Sequence, residues 1–178
     1  DGVHLGHQAL LKMSSSLAKE KGVKPGVITF DGDVTSVGSG AFTRDTNLVS
    51  IDLPEGVTFI GIAFSQCSNL VSVTIPESVK TIGDYAFQKC SSLDSLYIPE
   101  GVESFGESAF SESFNITFMG PLASSDGKCL IKDGLLVAFS PGTTSDEAIS
   151  YEIPEGVTTI GNSAFEKVYS IKSIIIPQ

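Results

Sequence analysis

His4-Leu5-Gly6-His7 is the stretch of this chain whose residue types and spacing most suggest chemistry, and it holds both of the chain's histidines. Leu10, Leu11, Leu17 and Ala18 follow on one side of a predicted helix that stops at Gly22. Two imidazoles around a glycine at a helix head suit contact with a phosphate, because the glycine permits close approach and the helix amino terminus favours an anion. His4, Gly6 and His7 are therefore the candidate nucleotide contacts. Beyond His7 the chain has no histidine, so acid/base or nucleophilic catalysis of the serine–histidine or cysteine–histidine type has no base there. Cys67, Cys90 and Cys129 are too few and too irregular for a disulfide framework or a four-ligand zinc site. No metal or cofactor site is read.

The elements that would position any site come from a repeat. Leu48-VSIDLPEGVTFIG, Leu70-VSVTIPESVKTIG and Leu93-DSLYIPEGVESFG are one pattern, and Ile171-KSIIIP begins it again. Prolines at 54, 76, 99, 154 and 177 are spaced by 22, 23, 55 and 23 residues, and Phe42, Phe64, Phe87, Phe110 and Phe165 by 22, 23, 23 and 55. A fixed period of this size marks a solenoid, each repeat forming one coil. L-x-x-(I/V/L)-x-(I/L) is a short strand with alternate residues inward, and the proline ends it because it lacks a ladder donor. The following V-x-x-(I/F)-G-x-x-A-F sends Val79 and Ile82 inward, turns at Gly83, and is predicted to make about one helical turn that buries Ala86 and Phe87. The fold class is thus a solenoid of short strands and single helical turns, preceded by one helix. That helix is expected to cap the open end of the first coil.

Two irregularities stand out. FIGIAF in the second repeat is one residue shorter than TIGDYAF in the third, which should pinch that corner. Between residues 119 and 150 the period lapses, and Cys129-LIK-Asp133-Gly134-LLVAF reads as a hairpin around an Asp-Gly turn. Cys67 and Cys90 share one repeat position, so stacking would bring them within about 5 Å, as a ladder of buried thiols or as a disulfide. Glu55, Glu77, Glu100 and Glu155 also align, either as solvated turns or as a feature that meets a cation or a basic partner.

With I-P-E-G-V, I-G-x-x-A-F and C-S-x-L, residues 26–178 resemble the BspA-like leucine-rich repeats of bacterial surface proteins. The resemblance implies a leucine-rich-repeat fold and a secreted or cell-surface module that adheres to host or matrix components. Residues 1–25 read as a separate, foreign helical segment. Their string D-G-V-H-L-G-H-Q-A-L-L resembles the adenylyltransferase module of bacterial riboflavin kinase/FAD synthetases, which implies nucleotide contacts for His4, Gly6 and His7 as the alternative function. The chain departs from that module after Phe30, where the sheet, second phosphate loop and flavin site would follow and repeats stand instead.

The favoured function is non-catalytic binding, with a structural spacer as a further alternative. Stacked strands present an outward row, in which Thr29, Asp52, Thr74, Tyr97, Thr117, Glu152 and Ile175 are expected to occupy the same position in successive coils, flanked by Ser50, Ser72, Ser95, Ser150 and Ser173. Asp52, Thr74, Tyr97, Thr117 and Glu152 are the candidate partner-binding residues, Tyr97 foremost because exposed tyrosine offers area and a hydrogen bond at small entropic cost. The expected ligand is a protein or glycan, bound by a monomer. With 11 basic against 21 acidic residues and a net charge of −10, nucleic acid and anionic membranes are poor partners. No apolar run reaches the roughly 18 residues of a membrane span, and no basic region leads into an apolar stretch as in a secretion signal.

Overall fold

The computed structural model describes residues 26–28, 33–142 and 148–177. The first 25 residues, with the predicted capping helix and His4, Gly6 and His7, lie outside the described residues, as does Thr29. Fourteen strands are described, in chain order β1 (Gly26–Ile28), β2 (Ser36–Val37), β3 (Leu48–Asp52), β4 (Phe59–Ile60), β5 (Ser72–Thr74), β6 (Thr81–Ile82) and β7 (Ser95–Tyr97). There follow β8 (Ser104–Phe105), β9 (Thr117–Met119), β10 (Cys129–Lys132), β11 (Leu135–Phe139), β12 (Ile149–Glu152), β13 (Thr159–Ile160) and β14 (Ile171–Ile175).

Each full repeat supplies one strand before its proline and one after it, and equivalent strands pair in parallel from coil to coil. The strands before the proline pair as β1-β3-β5, β7-β9 and β12-β14, and those after it as β2-β4-β6-β8. The proline carbonyl closes the turn between the two sides, accepting from the valine three residues on: Val57 to Pro54 at 3.3 Å, Val79 to Pro76 at 3.1 Å and Val102 to Pro99 at 3.2 Å. Inward positions are fully covered, among them Val57, Ile60, Phe64, Leu70, Val79, Ile82, Phe87, Leu93 and Ile98.

The segment carrying Ala-Phe differs from the predicted helical turn. Alternate amides there donate to the next coil instead of four residues back: Tyr85 to the Glu107 carbonyl at 3.0 Å, Phe87 to Ala109 at 2.7 Å and Lys89 to Ser111 at 2.9 Å. Directing those amides sideways requires left-handed backbone at Tyr85 and Lys89, with φ of 52° and 57°, and at Ser108 and Glu112, with 52° and 60°. The result is a stack of turns, and no helix occurs among the described residues. In the second coil, lacking one residue, Ala63 donates to Gly61 only two residues back at 2.7 Å, where Ala86 donates to Gly83 three back. That tighter turn is the expected pinch.

Four phenylalanine rings stack along the axis, with centroids 5.4 Å apart for Phe42–Phe64, 5.3 Å for Phe64–Phe87 and 5.8 Å for Phe87–Phe110, all within 10° of parallel. Beside them the thiols of Cys67 and Cys90 are free and donate to the carbonyls of Phe42 and Phe64 at 2.9 and 3.2 Å. Ser113 takes the same place in the fourth coil, its hydroxyl donating to Phe87 at 2.6 Å. A small donor is needed here because the phenylalanine carbonyl is turned inward, away from water. Burial pushes the Cys67 thiol up to about 11, so it stays a thiol at neutral pH.

The irregular stretch is a coil in its own right. β10 and β11 pair antiparallel around Asp133-Gly134, and β11 then pairs parallel with β13. Phe139 donates to the Ala164 carbonyl at 3.0 Å, the bond that Phe87 makes to Ala109, so Ala138-Phe139 is this coil's Ala-Phe pair. Its ring lies 5.1 Å from Phe165. On the other side, where a strand would follow β9, the loop of residues 124–128 stands in, the Gly127 carbonyl accepting from Phe118 at 2.7 Å. The core accordingly divides into a large cluster centred on the first four coils and a smaller one of Cys129, Leu136, Phe139, Tyr151, Ile153 and Ala164.

Phe87 has no exposed surface and rings on both sides. Phe87→Ala should lower unfolding stability by about 3–5 kcal/mol in urea titrations. An unchanged midpoint would contradict the stacked core.

Candidate interaction surface

The register of the strands decides which side chains share the outward face. Ser50 pairs with Ser72 and Asp52 with Thr74. In the next pair, Ser95 faces Thr117 and Tyr97 faces Met119. Thr117 therefore belongs to the serine row and not, as expected, to the row of Tyr97, from which the 22-residue step falls on Met119. The cause is local: Leu93 and Leu96, the inward residues of the third repeat, are three apart, whereas Ile116 and Phe118 are two apart, so the fourth strand advances by one residue. Glu152 faces Ile175 and Ser150 faces Ser173. The loop of residues 124–128 separates this last pair from the Tyr97 row, so Glu152 stands across an interruption from the other candidates.

Along the row, Asp52 and Thr74 are half-buried and bonded to each other through the Thr74 hydroxyl. Tyr97 and Met119 follow, 44% and 38% exposed, as adjacent large apolar side chains. Gly120 sets the tyrosine's place. Its φ is +96°, and a Cβ there would lie 2.6 Å from the Ile98 carbonyl and 3.0 Å from Cε2 of Tyr97, so only glycine lets the ring settle against the backbone. Ser50, by contrast, is buried, and its hydroxyl has no hydrogen-bond partner.

A polar cluster holds the interrupting loop. Asp126 accepts from the Ser124 hydroxyl at 2.6 Å, the Lys128 amide at 3.0 Å and the Tyr151 hydroxyl at 3.1 Å. The Cys129 thiol lies 3.2 Å from the same tyrosine oxygen, and Lys128 Nζ stands 5.9 Å from the ring centre. Partial burial pushes the Asp126 carboxyl up, but the three donors and the lysine outweigh it and hold the group below the usual carboxylate range. Burial raises the Cys129 thiol to about 11 and pushes Tyr151 far above its usual value, so neither is an available nucleophile or base at neutral pH. The cluster fastens the loop to β12.

On the opposite corner, the outward residues with left-handed backbone link the coils by ion pairs. Lys167 Nζ lies 2.8 Å from Glu112, and Lys89 lies 3.6 Å from it. The hydrogen bond from Lys167, with Lys89 beside it, holds the Glu112 carboxyl below its ordinary range. Ser108 donates to Glu166 at 2.9 Å across the gap left by the shortened fifth coil. No group of acidic, histidine or cysteine side chains among the described residues is arranged to hold a metal ion, and no helix among them is long and apolar enough to cross a membrane.

The stacked coils match a known repeat. The family model of the BspA type leucine-rich repeat region, in six copies, covers residues 24–121 and 143–178. The chain belongs to the BspA-type leucine-rich repeat family. A leucine-rich cell surface protein of Faecalibacterium prausnitzii is similar at 26% identity and a TM-score of 0.56, over 76% of this chain and 43% of that one. The leucine-rich repeat protein of T. pallidum shares the fold, at 22% identity and a TM-score of 0.52 over 83% of this chain and 56% of that one. The BspA-type repeats here thus span roughly half the length of these solved relatives or less. A 31-residue stretch, 17% of this chain, is 55% identical to part of the bifunctional riboflavin kinase/FMN adenylyltransferase of Listeria monocytogenes, of which it covers 10%.

Because the folded state lowers the Asp126 pKa, its carboxylate stabilises the BspA-type fold above the ordinary carboxylate range and loses that contribution as the pH falls below it. Asp126→Asn should therefore be less stable than the parent near pH 7, and the gap should close toward about pH 3. Urea midpoints at the two pH values measure it. A gap that persists in acid would show that the contribution does not come from the charge.

Proposed function

We propose that this chain is a binding module of a secreted or cell-surface bacterial protein, and that it grips a protein partner through the strand face of its third and fourth coils. The single observation behind the proposal is the exposed Tyr97–Met119 pair, set on a face whose backbone is fixed by parallel pairing on both strands. Aromatic and methionine side chains on a rigid support gain contact area without much loss of conformational freedom, which is why such residues concentrate binding energy. Asp52 and Thr74 extend the surface with a pre-bonded polar pair. Glycan ligands would use the same tyrosine, but the thioether beside it favours a protein surface. The surface location draws on the family and on the cell-surface relative from Faecalibacterium prausnitzii. The nucleotide reading of His4, Gly6 and His7 rests on a likeness to a tenth of the length of one enzyme and is not the function proposed.

Beads coated with the full chain should adhere to epithelial monolayers or to immobilised matrix proteins. Tyr97→Ala and Met119→Ala should each cut adhesion about tenfold, equivalent to about 1.4 kcal/mol, while Arg44→Ala on the opposite corner should leave it unchanged. Equal adhesion by the parent and Tyr97→Ala would remove the strand face from the account.

A further inference from the structure

Charge on the solenoid is sorted by side. Around the strand face stand Asp52 in the outward row, Asp94 at the entrance to β7, and Glu152 beyond the interrupting loop. Glu55, Glu77, Glu100 and Glu155 occupy the exit turns after the prolines, all exposed. The bases on this side are Lys80, which lies 3.3 Å from both the Gly101 carbonyl and Glu103 at the exit turn, Lys128, near the Tyr151 ring, and Lys172 in β14. With Glu103, bonded to Lys80, and Asp126, beside Lys128, added to these seven carboxylates, three positive charges against nine negative leave 3 − 9 = −6. None of the first seven carboxylates belongs to an ion pair among the described residues, whereas Glu103, Glu112 and Glu166 do. Arg44, Lys89 and Lys167 hold left-handed positions on the opposite corner, Lys89 and Lys167 paired with Glu112.

The row of carboxylates alone would be no more than a solvated rim. Its meaning comes from what it surrounds: the Tyr97–Met119 pair is an apolar island on the acidic side. A partner that covers the island must bring its own rim within a few ångströms of uncompensated carboxylates, where like charge is penalised and opposite charge is rewarded. Tyrosine also accepts a lysine or arginine over its ring, which links the apolar contact to the charge. From this we infer that the strand face docks a lysine- or arginine-rich segment of a protein partner, its basic groups meeting the rim and one of them lying on Tyr97. The inference rests on the strand face being the binding surface and adds the charge of what it binds.

A random-peptide display library selected against the full chain tests it. The peptides recovered should be enriched in lysine and arginine, and their affinity should fall at least tenfold between low salt and about 0.5 M NaCl, since the contacts are at an exposed, screened rim. Binding should weaken about tenfold in Tyr97→Ala and in the double variant Glu77→Gln with Glu100→Gln, both at exposed positions, with the melting temperature recorded for each. Uncharged or acidic peptides that still lose binding in Tyr97→Ala would overturn the basic partner and leave the strand-face reading standing. Basic peptides that bind Tyr97→Ala as well as the parent would overturn both, as would a library that yields no binder.

Discussion

A single coil of this chain has no closed core. Its inward side chains form one layer, and each layer is covered only by the coils before and after it, so burial is a property of neighbours. Ile82, whose strand pairs with β4 on one side and β8 on the other, has no exposed surface. The backbone obeys the same constraint: the amides of Gly83 and Phe87 donate across coils, at 2.7 Å each. Residues with left-handed backbone, free thiols and glycines are the local adjustments that keep this lateral bonding complete.

The fifth coil shows how far the constraint can bend. It provides no strand before a proline, and the chain instead folds back through β10 and β11 to deliver Leu136 and Phe139 to their ladder places. The loop left over is fastened through Asp126 and Tyr151, while Ser108–Glu166 and Glu112–Lys167 bridge the opposite corner. The inner ladder is thus maintained while the outer face is broken after Met119, which separates Glu152 from Asp52, Thr74, Tyr97 and Met119. We propose binding on that surface because the packing beneath it fixes the backbone that carries Tyr97 and Met119.

The period was legible in the residues themselves, because each proline, Ala-Phe pair and inward aliphatic has a packing reason to recur. The outward row and the insertion were less legible. Thr117 stands 20 residues after Tyr97, short of the 22- or 23-residue step, and it is Met119, 22 residues on, that faces Tyr97. Ala138-Phe139 carried the repeat's own signature, yet its steps of 29 from Phe110 and 26 to Phe165 hid it inside the hairpin. The predicted helical turn failed because a sequence does not display where its amides will bond, and here they bond sideways. Which outward residues meet a partner is the least legible matter, since solvent-facing positions are free of the packing that makes the rest repeat.

Residue-resolved amide hydrogen exchange of the native chain under mild denaturant tests the neighbour-dependence of the core most directly. The amides of Gly83, Phe87 and Gly106, donors inside the large cluster, should open together and only with global unfolding, while those of Ile153 and Gly161 in the smaller cluster should exchange earlier as a second cooperative unit. Protection that is equal across both clusters, or lowest at Phe87, would contradict a core built from one coil covering the next.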